Sequence, residues 1–140
     1  MYKRAQPVKV RESGKILIVE NDRLTSSALS KVISNYFGCE VNIAASESEA
    51  LSYLSARKYD LIIVGYSGSE AVSRSSIDNL KLKYPGTPMI IVLGDCSDED
   101  QDLIKKKGIY RIVYKPLKLT SFLETVAGAF LEQEHTLTFA

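Results

Sequence analysis

Histidine and cysteine are scarce in this chain. Of its 140 residues one is histidine, His135, and it lies in a polar C-terminal stretch that reads as a solvated tail, not as a ligand or base. The two cysteines, Cys39 and Cys96, have neither metal-ligand nor redox spacing. Cys39 reads as a small hydrophobe opening a buried strand, and a reducing cytoplasm is the default expectation. Neither sign of charge dominates: the net charge is +1, so no broad field favours nucleic acid or an anionic membrane. No apolar run approaches the length of a membrane span. Lys3 and Arg4 have no apolar segment after them, which argues against a secretory signal. What remains, 45% hydrophobic and 25% charged, is an ordinary globular composition. A chain this long buries roughly two-thirds of its unfolded surface, enough for one independent domain.

Short apolar runs alternate with amphipathic stretches. Residues 1–14 are polar, basic and aperiodic, and are expected to be a flexible lead-in. A first strand is expected over Lys15–Val19. A helix follows, capped by Asn21 or Asp22, with Leu24, Ala28, Leu29, Val32, Ile33, Tyr36 and Phe37 at helical spacing and Gly38 after its end. Cys39–Ala44 reads as the second strand. Ser46 and Glu49 form a capping box for a second helix carrying Ala50, Leu51 and Leu54. Leu61–Val64 is the third strand, and the Gly/Ser-rich segment Gly65–Ser76 a loop into a third helix, about Arg74–Lys83. Pro85–Pro88 stops that helix and launches the fourth strand, Met89–Leu93. Ser97 caps a fourth helix that ends in Lys105, Lys106 and Lys107 before Gly108, where cations suit the helix dipole. Tyr110–Tyr114 is the fifth strand, and a fifth helix begins near Leu119 with Phe122, Val126, Ala129 and Phe130 inward. Residues 132–140 read as a loose tail.

Apolar runs that do not alternate indicate parallel strands covered on both faces. Five strand–helix units over residues 15–131 predict an α/β, flavodoxin-like, doubly wound five-stranded parallel sheet, order 2-1-3-4-5, with five helices. The strand ends then share one edge, where such folds place their chemistry. There Val19 runs into Glu20, Asn21 and Asp22, and Tyr114 into Lys115 and Pro116. Val64 runs into Gly65, which has no side chain.

In order and spacing these residues resemble the receiver domain of bacterial response regulators. The pieces that carry the likeness are Ile16–Val19 before an acidic cluster, Ala45-x3-Glu49-Ala50-Leu51, Tyr59–Val64, Pro85-x2-Pro88-Met89-Ile90-Ile91, and Gly108 seven residues before Lys115-Pro116. The resemblance implies an aspartate at the end of the third strand that accepts a phosphoryl group from a histidine kinase. It implies two acids after the first strand that help bind Mg²⁺. It implies a hydroxyl after the fourth strand, a lysine after the fifth, and an aromatic residue on the fifth strand that moves with them. A carboxylate nucleophile needs a metal and a cation to offset charge in phosphoryl transfer. In this chain the acceptor position falls on Gly65, the acid pair on Glu20 and Asn21, the hydroxyl on Leu93 and the aromatic on Ile112. Lys115 alone matches outright, and Pro116 after it suggests a cis peptide.

Substitutes for the missing acceptor are poor. Asp60 lies five residues upstream, roughly 16 Å away along an extended strand. Ser67 lacks a base. Asp22 and Asp95 are weak cation candidates, and two carboxylates without a third ligand make a poor Mg²⁺ site. Glu20, one methylene longer than the family's aspartate, is expected to pair with Lys115 across the empty space. The bland alternative has Lys115 reaching water beside the proline turn. The expectation is a degenerate receiver that is not phosphorylated, needs no cofactor, is not an enzyme, and signals by binding proteins. Those partners are a histidine kinase, another regulator or an output domain, with a homodimer through the fourth helix, fifth strand and fifth helix as one form. Neither nucleic acid nor membrane is expected as a partner. The alternative is a small-anion or nucleotide module in which the Gly/Ser loop, Asn21 and Lys115 hold the ligand. A nucleophile elbow at Gly65–Ser69 is excluded, because its last glycine is Ser69.

Overall fold

Strands that are apolar at every position must lie between two layers, and helices with one apolar stripe supply those layers. The computed structural model, which describes residues 14–68 and 72–139, has this arrangement. Its elements are β1 (Lys15–Val19), α1 (Arg23–Phe37), β2 (Glu40–Ala44), α2 (Glu47–Ala56), β3 (Leu61–Tyr66), α3 (Arg74–Lys83), β4 (Met89–Leu93), α4 (Asp98–Lys105), β5 (Arg111–Tyr114) and α5 (Leu119–Phe139). The strands form one parallel sheet in the order β2-β1-β3-β4-β5. On one face Leu17, Ile62, Ile91 and Leu93 pack with Leu54, Ile77, Leu80 and Ile104 of α2, α3 and α4. On the other, Ile16, Ile18, Ile63 and Val92 pack with Leu29, Ile33 and Phe37 of α1 and Phe122, Val126 and Phe130 of α5.

Local chemistry ends the elements largely where expected. Asp22 caps α1 by accepting from the Thr25 N–H, and Gly38 closes it with φ 71°, in the left-handed region that glycine tolerates. Several expectations are corrected. Leu24 is 83% exposed, because it lies nine residues before Ile33, roughly half a turn round the helix from it. Ser26 takes an inward place instead. Glu49 accepts the N–H of Ala45 rather than that of the cap residue Ser46. A reciprocal box forms at α3, between Ser73 and Ser76. β3 does not stop at Val64: Gly65 and Tyr66 pair with Val92 and Leu93, since neighbouring parallel strands bond the backbone whatever the side chain. β2 and β5 each begin one residue later than expected, after Cys39 and Tyr110. α5 continues to Phe139, so the stretch from 132 is helical. The lead-in, apart from Gly14, lies outside the described residues, as does Ser69. Among the described residues no helix is long and apolar enough to cross a membrane.

Candidate functional site

β1, β3, β4 and β5 deliver their C-terminal ends to one edge, and the space between them centres on Gly65. That space is filled. A Cβ built on Gly65 would stand 2.0 Å from Glu20 Oε1 and 2.7 Å from Glu20 Cδ. Real side chains do not approach so closely, so the Glu20 carboxylate occupies the volume that a side chain at position 65 would need. Conformation is not the reason for glycine here. Among the described residues, the glycines with positive φ are Gly38 and Gly108.

Glu20 is 4% exposed, and its carboxylate is held from two sides. Oε2 accepts the Asp22 N–H at 2.9 Å, and Oε1 lies 3.9 Å from Lys115 Nζ. The lysine side chain is 38% exposed. The contact is therefore long and, on the lysine side, partly solvated. Lys115 precedes a cis bond to Pro116. Asn21 is exposed. Asp22 spends Oδ2 on the Thr25 N–H and hydroxyl, and these bonds hold its carboxyl below the usual range, with Lys115 adding a smaller effect. Leu93 is buried between the sheet and its helices, and Ile112 is half-buried against the same cluster. Asp60 sits at the opposite edge, where its carboxylate accepts the Lys15 N–H.

Two amides of the described loop residues are also committed. The Gly68 N–H donates to Asp95 O and the Gly94 N–H to Tyr66 O. An anion cradle needs such amides free and convergent. Tyr66, the last residue of β3, is buried. Its hydroxyl donates to Asp100 Oδ2 at 2.6 Å. Burial and the carboxylate acceptor push its phenol up to about 12. Sequence reasoning did not find this contact, which joins residues 34 apart with no local motif between them.

The model of the response regulator receiver domain matches residues 16–127, most of the folded unit. The chain belongs to this family. Curated relatives of the domain include the autoinducer 2 sensor kinase/phosphatase LuxQ of Vibrio parahaemolyticus, 30% identical over 111 residues. That match covers 76% of this chain and 12% of the relative. Another is the transcription factor SKN7 of Saccharomyces cerevisiae, 29% identical over 115 residues, covering 78% of this chain and 17% of that protein. The matched part thus spans less than a fifth of either relative. Among solved structures, the CheY-like receiver domain protein of Methanospirillum hungatei superposes with a TM-score of 0.77 at 24% identity. The match covers 89% of this chain and 98% of that one. The receiver domain of a signal transduction histidine kinase from Syntrophus aciditrophicus gives 0.76 at 22% identity, covering 86% and 92%. These two likenesses establish the fold of the receiver domain.

The metal that receiver domains use does not fit the residues present. Glu20 is turned over Gly65 and bonded to the Asp22 N–H, Asn21 is a neutral amide, and Asp22 caps α1. Mg²⁺ takes several oxygen ligands in octahedral array. Among the described residues no group of three or more His, Cys, Asp or Glu is disposed to hold a metal ion. Asp22 and Asp95 therefore have no third partner of that kind.

Proposed function

We propose that this receiver domain works in two-component or phosphorelay signalling without being phosphorylated, by binding proteins rather than by catalysis. The observation that carries the reading is the Glu20 carboxylate lying where the acceptor side chain would be, over a residue with no nucleophile. Phosphoryl transfer needs an open in-line approach, a nucleophile and charge compensation by metal and cation. Here the approach is filled by a buried anion, and only the cation, Lys115, remains. We assign the Glu20–Lys115 contact a structural role, holding the β1 and β5 ends together where relatives hold a ligand. Apolar Leu93 and Ile112 offer a phosphoryl oxygen no hydroxyl and leave no aromatic to move with one, so the face is read as fixed rather than switched.

The partners proposed are a histidine kinase, another regulator or an output domain. The first candidate interface is the surface of α4, β5 and α5, where Tyr114 and Leu119 are exposed and a second copy of the chain would also dock. The committed amides of Gly68 and Gly94 weigh against the anion-binding alternative. The deciding experiment is incubation with acetyl phosphate and Mg²⁺ followed by intact-mass measurement. The expected outcome is an unchanged mass, and a gain of one phosphate would overturn the reading. Reconstitution is the positive control: Gly65→Asp combined with Glu20→Asp and Asn21→Asp supplies a nucleophile, two metal acids and the vacated space.

A further inference from the structure

Among the helices flanking the sheet, α4 has the least apolar anchorage. Of its eight residues only Ile104 is buried, whereas α1 buries Ser26, Leu29, Ile33 and Phe37. Polar bonds supply what packing does not. Asp100, in the first turn of α4, accepts from the Tyr66 hydroxyl at 2.6 Å through Oδ2 and lies 3.0 Å from Arg74 Nε through Oδ1. One carboxylate thus ties the end of β3, the start of α3 and the start of α4. Beyond the other end of the helix, Lys107 Nζ lies 2.6 Å from Asp78 Oδ1, and Lys81 Nζ donates to Gly108 O at 2.6 Å. All four links run toward β3 and α3. Among the described residues, none of the side-chain bonds of α4 crosses to β5 or α5.

We infer that Asp100 is a clamp that fixes the placement of α4, joining it to β3 and α3 as one body. The seam between α4 and β5 is then the compliant one. The Tyr66 arm is buried and the Arg74 arm is half-exposed, so the phenol contributes more to the hold. The phenol stays protonated across the neutral range and remains a donor.

Hydrogen exchange of the full chain, read by mass spectrometry on peptides spanning 98–108, tests the clamp. In Asp100→Asn the amides of α4 should exchange on the order of tenfold faster than in the wild type, with β3 and β4 unchanged, as loss of charge-assisted bonds implies. Tyr66→Phe should accelerate them less, and Arg74→Gln less again. Asp98→Asn removes the same charge from the same helical turn but makes no clamp bond, so it should stay within about twofold of wild type. Equal acceleration in Asp98→Asn and Asp100→Asn would reduce the effect to the helix dipole and overturn the inference. So would unchanged exchange in Asp100→Asn, or acceleration spread evenly over β3 and β4. Should Asp100→Asn fail to fold, Tyr66→Phe and Arg74→Gln probe the same bonds from their other ends, and unchanged exchange in both would overturn the clamp equally.

Discussion

Adding one methyl group at position 65 tests the occupancy of the pocket directly. In Gly65→Ala the new Cβ meets Glu20 Oε1 at 2.0 Å unless the carboxylate swings away. Swinging away breaks the bond from the Asp22 N–H, a charged hydrogen bond worth about 1.5–3 kcal/mol. The Lys115 contact, at 3.9 Å and more than a third exposed, adds under about 0.5 kcal/mol after solvent screening. Against this, alanine for glycine in extended backbone stabilises by about 0.4–1 kcal/mol through the unfolded chain. The net expectation is a loss of about 1–2 kcal/mol, or a melting point lower by roughly 5 °C for a domain of this size. In a Glu20→Ala background the obstruction is gone, and the same Gly65→Ala change should be neutral or mildly stabilising. A double-mutant cycle read by urea denaturation should therefore show an interaction energy of about 2 kcal/mol between positions 20 and 65. An interaction below about 0.5 kcal/mol, or a stabilising Gly65→Ala in the wild-type background, would show that the carboxylate does not fill this space.

Other outcomes are expected on the same grounds. Lys115→Ala should lower stability by about 1 kcal/mol or less, since the ammonium is partly solvated; a loss of several kcal/mol on denaturation would mean a buried pair. Gly38→Ala forces an alanine into φ 71° and should cost about 1 kcal/mol, visible as an earlier thermal transition. Tyr66 has a phenol that titrates near 10 when unfolded and at about 12 when folded. The folded state thus holds its proton more tightly, and stability from this group is complete below pH 10 and lost as pH rises from there toward 12. Urea midpoints measured across that window should fall less steeply in Tyr66→Phe than in the wild type. Phe122→Ala, at a fully buried site on the inward face of α5, should cost about 3–5 kcal/mol, read as a lower urea midpoint.

The layering of the fold was legible because Ile16–Val19 of β1, Leu61–Val64 of β3 and all of β4 are unbroken apolar runs, a pattern with few solutions in an α/β chain. Helix starts at Asp22, Ser46 and Ser97 were legible because capping is a local bond between a side chain and an amide three residues on. The extension of β3 was not, because Gly65 reads as a breaker in isolation and only its neighbours across the sheet show otherwise. Leu24 matched a helical period loosely, and counting apolar residues concealed that it points away from Ile33. The glycine at the end of the third apolar run could be read from the sequence, whereas the carboxylate packed over it depends on the path of a side chain that follows another strand. The Tyr66–Asp100 bond and the salt bridges of α3 with α4 and the turn after it join residues about 26–34 apart, and nothing in the intervening sequence announces them.

Because Glu20, just past β1, covers a residue on β3, the two positions are mutually committed. A lineage that acquired aspartate at 65 alone would press two anions into one gap. One that shortened Glu20 alone would open a void with nothing to fill it. Under the reading proposed above, installing an acceptor at 65 therefore calls for coordinated change at both positions, because either change alone meets a clash or a gap.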